Sequence, residues 1–166
     1  LIQLKSNNKI QFDKNGEIAF SGKVNKTILD IYINDPYYKS LPPKSLDVNH
    51  FNLNPVNNIG LENSIATLSE LTSTTIVDSL NFFSQKPKKI ILCGGGRKNK
   101  YILERIKKKS HISTINIDEY KLNGDFIESQ AFAYLAIRSL LKKSISFPDT
   151  TGVSKPSTGG KLIEFK

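Results

Sequence analysis

The chain has no tryptophan, no methionine, one cysteine and two histidines among 166 residues. A single Cys93 excludes an internal disulfide and suits a reducing cytosol. With only His50 and His111 beside it, a zinc site built from His and Cys is excluded as well. No apolar run approaches the ~20 residues of a membrane-spanning helix. The opening Leu1, Ile2, Gln3 and Leu4 are too short for the apolar core of a secretory signal. These absences predict a cytoplasmic protein with no membrane partner. The first residue is Leu, which reads as a fragment, a processed product or an unusual start.

Basic residues are in excess: 24 Lys and Arg stand against 15 Asp and Glu, a net charge of +9. That surplus fits a nucleic-acid footprint or a lysine-rich composition without a dedicated patch. The lysines are scattered among Asn and Ile. The one tight run, Lys107, Lys108 and Lys109, falls at the end of an expected helix, where cations suit the dipole. The scatter favours the second reading, and an anionic small substrate would tolerate the same charge. The length suits one domain.

Along the chain, "FDKNGEIAFSG" predicts a turn at Asn15 and Gly16 followed by a short extended piece. Residues 23–35 place Val24, Ile28, Leu29, Ile31 and Tyr32 on roughly one helical face, and Pro36 ends that helix. Residues 40–58 read as a long loop, a candidate functional segment. A long helix is expected over about 59–84, with Ile65, Leu68, Val77, Leu80 and Phe83 at helical spacings. "KKIILCGGG" is a compact apolar strand, expected to be buried on both faces. A helix follows in "KNKYILERIKKK", a second strand over 111–117, and a strongly patterned helix over 125–143 carrying Phe126, Ile127, Phe132, Leu135, Leu140 and Leu141. The tail is expected to be mostly irregular, ending in a short strand. The alternation helix–strand–helix–strand–helix predicts an α/β fold with parallel strands joined by a crossover.

The glycines of "ILCGGGRKN" sit at the end of the first strand. In open α/β sheets ligands bind beyond the carboxyl ends of strands. Glycine there lets backbone approach a ligand and permits positive φ. The next helix aims free N–H groups at the same crevice, and Asn99 is placed to cap it. Gly94, Gly95 and Gly96 are therefore candidate nucleotide contacts, and a tight strand-to-helix turn accounts for them equally well. The dinucleotide fingerprint is absent because position 99 is Asn. The phosphate-loop pattern fails because Leu162 follows Gly159, Gly160 and Lys161. Asp125 and Glu128 have the spacing of a capping box, which the spacing alone favours, and the alternative for Glu128 is a carboxylate at a helix start that accepts sugar hydroxyls. Asp118 and Glu119 follow the second strand and are similar candidates, or plain exposed acids. Cys93, flanked by apolar residues, reads as a small core residue.

Taken together, "ILCGGGRKN", "INIDEYKLNGDFIESQAFAYLAIRSLL" and "SFPDTTGVSKPSTGGKL" resemble the C-terminal part of the anhydro-N-acetylmuramic acid kinase family. "FDKNGEIAFSGKV" and "DPYYKSLPPKS" resemble its middle region, in the same order. The resemblance covers nearly the whole chain. It implies the actin-like and sugar-kinase fold, in which two ribonuclease-H-like lobes close on a cleft. It implies ATP with a divalent metal, Mg2+, as cofactors. The implied reaction opens the 1,6-anhydro bond of a small amino sugar with water and phosphorylates O6. The product, N-acetylmuramic acid 6-phosphate, belongs to peptidoglycan recycling. Residue by residue, it implies that Gly94, Gly95, Gly96 and Asn99 lie by the nucleotide and that Glu128 lies near the sugar.

Two departures accompany the resemblance. The family's catalytic Asp stands in an Asp-Thr-Gly-Pro-Gly-Asn-like segment, and this sequence contains none. Its Lys-Ser-Thr-Gly-Arg stretch matches only at Lys44 and Ser45. Residues 1–166 are thus expected to form the nucleotide-binding lobe without the N-terminal lobe. Such a lobe is expected to be inactive unless a separate chain supplies the missing part. The competing expectation is a non-catalytic basic α/β module for nucleic acid or a protein partner, which would present a contiguous lysine face.

Overall fold

The computed structural model describes residues 1–47, 50 and 52–163. It has an α/β fold, with nine α-helices and two strands among those residues. A short α1 (Ile2–Lys5) leads to a turn at Asn15 (φ 57°) and Gly16 (φ 80°). The turn is as expected, but the extended piece after it is a helix, α2 (Glu17–Ser21). The cause is Asp13, whose carboxylate accepts the Ile18 and Ala19 backbone N–H groups at 2.8 and 3.2 Å. Those donors would otherwise go unpaired in a first helical turn.

Asn25 caps α3 (Lys26–Ile33) by accepting the Ile28 N–H. Asp35 caps α4 (Pro36–Lys39) in the same way through Tyr37 N–H, so Pro36 both stops one helix and opens the next. The 40–58 stretch is largely irregular, as its prolines and asparagines predict, apart from α5 (Asn54–Asn57). Positions 48, 49 and 51 of that stretch lie outside the described residues.

The organising element is α6 (Leu61–Ser79), extended by a 3-10 turn over Leu80–Phe82. It packs against α2, α3 and the later α7 (Lys100–Ser110). Ala19, Ile65 and Tyr101 are the buried centre of this packing, with Leu1, Ile2, Ile18 and Leu61 around them. Gly22 permits the close approach, because a Cβ there would collide with the Glu62 carbonyl. Three hydroxyls on the buried face of α6 are accommodated along the helix: Ser64, Thr67 and Ser73 donate to carbonyls four residues back, and Thr67 also accepts from Asn25 N–H. Ser69 is buried beside them.

Glu70, almost fully buried on α6, ties that helix to α7. Arg105 donates to both carboxylate oxygens, at 2.6 Å from Nη2, and Lys109 Nζ lies 2.8 Å from Oε1. Burial works to raise the Glu70 carboxyl, but the hydrogen bonds from Arg105 and Lys109 outweigh it and hold it below its ordinary value. The lysine run at the end of α7 therefore has one member engaged in the core.

The sheet is small. β1 (Lys89–Leu92) pairs in parallel with β2 (Ser113–Asn116), Ile90 facing Thr114 and Ile91 facing Ile115, and α7 forms the connection. The expected burial of β1 on both faces is not realised: its residues alternate exposed and half-buried, and Ile91 is 48% exposed. Cys93 is likewise exposed rather than part of the core. Both differences have one cause. A second layer is needed to bury the other face of the sheet, and among the described residues α7 is the one α-helix in more than slight contact with the strands.

After a 3-10 turn over Ile117–Tyr120 comes α8 (Ile127–Leu140). The spacing of Asp125 and Glu128 does not make a capping box: Phe126 is the N-cap and no side chain caps the helix. The box is one element earlier, where Asn116 accepts Asp118 N–H and Glu119 accepts Asn116 N–H. The tail forms α9 (Pro148–Thr151) and a single antiparallel bridge between Ser146 and Ser157. The short strand expected at its end is absent through Ile163, and positions 164–166 lie outside the described residues. No helix among the described residues is long and apolar enough to cross a membrane.

Candidate nucleotide cleft at the end of the first strand

The polypeptide leaves β1 through Cys93 and enters the glycine run. Gly94 adopts φ 72° and ψ −177°, a region essentially confined to glycine. It is held from both sides. Its N–H donates to the Gly124 carbonyl at 3.0 Å, and its own carbonyl accepts from Arg97 Nη1 at 2.9 Å. Gly95 and Gly96 begin a short 3-10 turn, Gly95–Lys98, that delivers the chain to Asn99.

Gly95 and Gly96 have no positive φ, and a Cβ built on either would meet nothing within 4 Å. No backbone conformation and no close contact within the chain calls for glycine at these two positions. Their bare faces border a cleft of about 600 Å3, whose walls include Phe12, Lys14, Asn15, Lys98 and Asn99. Asn99 is the N-cap of α7, as its position predicts: its side chain accepts the Ile102 N–H at 3.1 Å. The same Oδ1 abuts Gly16, so the Asn15 turn is fastened beside the glycine turn.

Beneath the glycines lies Arg97, only 5% exposed. Its Nε donates to Asp118 at 2.9 Å and its Nη1 to Asp125 at 2.6 Å. Lys98 reaches the other Asp125 oxygen at 2.7 Å, and Asp118 also accepts the Gly124 N–H at 2.8 Å. Gly124 must be glycine here because a Cβ would collide with the Arg97 side chain. One guanidinium thereby joins the ends of both strands and the approach to α8. The bonds from Arg97, then Lys98, hold the Asp125 carboxyl far below the usual range. Arg97, then Gly124 N–H, lowers Asp118. The same two acids, Asp125 foremost, push the Arg97 guanidinium still higher.

The structure thus brings Gly95, Gly96 and Asn99 to one cleft, with Gly94 shaping the turn that presents them. Glu128 is exposed in the first turn of α8 and is not among the residues walling that cleft. Asp118, an acid with two possible readings, proves to be an Arg97 ligand. Asp125, expected to cap a helix, proves to be another. Arg97 and the Phe12 to Asn15 wall carried no signal in the sequence, since both depend on contacts between distant segments. Among the described residues, no group of three or more His, Cys, Asp or Glu side chains gathers as a metal site.

A family model described as anhydro-N-acetylmuramic acid kinase matches residues 2–164. The chain belongs to the anhydro-N-acetylmuramic acid kinase family. Curated proteins of that name are similar to it throughout. The one from Zymomonas mobilis is 38% identical over 159 residues, which cover 96% of this chain and 44% of that protein. The one from Pelagibacter ubique is 43% identical, covering 97% of this chain and 45% of that protein. The one from Caulobacter vibrioides is 37% identical, covering 92% and 41%. The chain therefore spans less than half the length of the anhydro-N-acetylmuramic acid kinases it matches.

Proposed function

We propose that residues 1–166 form the C-terminal, nucleotide-binding part of an anhydro-N-acetylmuramic acid kinase, a ribonuclease-H-like lobe of the actin-like and sugar-kinase fold. The complete enzyme opens the 1,6-anhydro sugar and phosphorylates O6 in peptidoglycan recycling, in the cytoplasm. The observation that carries this reading is the pair of bare glycines, Gly95 and Gly96, over an open cleft in a chain of this family. Glycines that nothing inside the molecule requires are explained by a ligand that packs on them.

ATP fits the residues present. Gly95 and Gly96 offer a flat backbone surface, and Lys14 brings positive charge to the cleft wall, where Lys98 also stands, its ammonium paired with Asp125. Bound ATP supplies the phosphoryl group. The chain's own part is to seat it, with Gly94 setting the turn, Asn99 fixing the start of α7, and Arg97 bracing the whole from below. A divalent cation does not fit the carboxylates beside the turn. Asp118 and Asp125 already take guanidinium, ammonium and amide donors, so no metal is assigned to this chain. Glu128, exposed at the start of α8, is the candidate to accept hydrogen bonds from sugar hydroxyls.

Phosphoryl transfer depends on positioning and charge stabilisation. A general base adds ~10²–10⁴-fold, and the segment that carries it in the family is not in this sequence. Residues 1–166 by themselves are therefore inactive on this reading, which needs the rest of the cleft to be present. The test is calorimetric titration of the chain with ATP, with Gly95→Val as control. A Cβ at position 95 meets nothing within 4 Å, so the effect of the substitution reports on the ligand. Binding by the natural chain, weakened at least tenfold by Gly95→Val, is expected. Equal binding by both would remove the glycine turn from the site, and a folded chain that ignores ATP would refute the nucleotide role.

A further inference from the structure

Phe12, on the wall of the glycine cleft, is 67% exposed. It is the one aromatic residue lining the cleft among the described residues, and it stacks on no other ring there. Phe20, also exposed, has such a partner: the Tyr101 ring centre lies 5.1 Å from its own. A lone exposed ring is ordinary on a protein surface. What sets Phe12 apart is how firmly its place is fixed. Asp13, next in the chain, accepts the Ile18 and Ala19 N–H groups and is clamped to the start of α2. Gly16 then lies so close to Asn99 and Tyr101 that a Cβ there would collide with both. The segment carrying Phe12 is thereby fastened to α2 and to the start of α7. A wall ordered in advance loses little freedom when a ligand arrives.

The groups along the cleft sort by chemistry. Lys14 carries positive charge, and the bare Gly95 and Gly96 let phosphate oxygens approach the backbone. Phe12 and Ile102, the latter from the first turn of α7, are the large apolar side chains. The Asp13 carboxylate also lines the cleft, and its charge disfavours phosphate beside Phe12. A flat, neutral group with apolar faces suits that end, and a nucleobase is such a group.

From this arrangement we infer that Phe12 is the platform on which the base of the bound nucleotide stacks, so that the cleft takes a nucleotide in preference to a bare polyphosphate. The inference rests on the proposed nucleotide reading of the cleft. Phe12 is a binding residue and takes no part in phosphoryl transfer. A ring offers its face to any base, so this contact does not by itself select adenine over guanine.

The test is titration of the chain with ATP and with inorganic tripolyphosphate, in the natural sequence and in Phe12→Leu, Phe12→Tyr and Phe12→Trp. The variants should melt where the natural chain does, because the position is exposed. Leucine keeps apolar bulk without a π-face, and ATP affinity should fall about tenfold, the size of one base–aromatic stack. Phe12→Tyr should keep the affinity of the natural chain. Because the chain has no tryptophan, Phe12→Trp adds a fluorophore that reports on this position alone. ATP should quench its emission and tripolyphosphate should not. Equal ATP affinity in Phe12→Leu and the natural chain overturns the proposal, as does quenching by tripolyphosphate as deep as that by ATP. A loss of affinity in Phe12→Leu that comes with a lowered melting temperature, and that Phe12→Tyr shares, also overturns it, because the side chain would then be holding the turn. Failure here is distinct from failure of the nucleotide reading. ATP binding that Gly95→Val weakens and Phe12→Leu leaves unchanged refutes the stack alone, whereas a folded chain that ignores ATP refutes both.

Discussion

The fold makes different demands on three adjacent glycines. Gly94 is required by its own backbone, and a side chain there is strained whatever the space around it. Gly94→Ala is expected to cost about 1–3 kcal/mol of stability, read from the urea midpoint. Gly95→Ala and Gly96→Ala should stay within about 0.5 kcal/mol, as exposed substitutions away from special geometry do. If all three were equally costly, the division between one glycine that the fold requires and two that it does not would be wrong. Arg97 is the residue that composition and periodicity hid. Only the fold shows it turned under the turn toward Asp118 and Asp125. Arg97→Lys should lower the melting temperature, because an ammonium cannot reproduce a fork that reaches two acids and a carbonyl at once. Both acids titrate lower when folded than when unfolded. Their contribution is thus complete above the ordinary carboxylate range and is lost as pH falls through it toward the lowered folded values. Melting temperature should decline from about pH 5 downward, and the decline should be shallower in Asp125→Asn.

At the scale of elements, the helix cap read from the sequence was the one at Asn99, while Asn25 and Asp35 carry the same local signal and went unread. Asn25, Asp35 and Asn99 each stand directly before a helix and accept an N–H of its first turn. Asn99→Ala is expected to cost about 1 kcal/mol through the lost cap. Asn99→Asp should retain most of that, measured by thermal unfolding. Where a cap is supplied from farther off, the reading failed. Asp13 lies four residues before Glu17, across the Asn15 and Gly16 turn, and it converts an expected extended piece into α2. Asp125 shows the converse. Its spacing to Glu128 is that of a capping box, but two cations nearby compete for the carboxylate and win. The two strands and the crossover were legible because short apolar runs between amphipathic helices leave few alternatives.

Across the whole molecule, the burial is uneven. The described core gathers around α6, while the sheet and α8 keep apolar side chains in the open. Native-state hydrogen exchange of the chain alone should follow that division, with α6 slowest and α8 among the fastest helices. The order of elements from α6 to α8, the glycine turn, the cap at Asn99 and the family were determined by the sequence by itself, because each depends on residues close together in the chain or on their order. Tertiary structure alone decided which acids meet Arg97, that Asn15 and Gly16 close against Asn99, that Cys93 and Ile91 face outward, and that Glu128 stands apart from the cleft. Those facts depend on segments far apart in sequence coming together, or on a covering layer that no local pattern specifies.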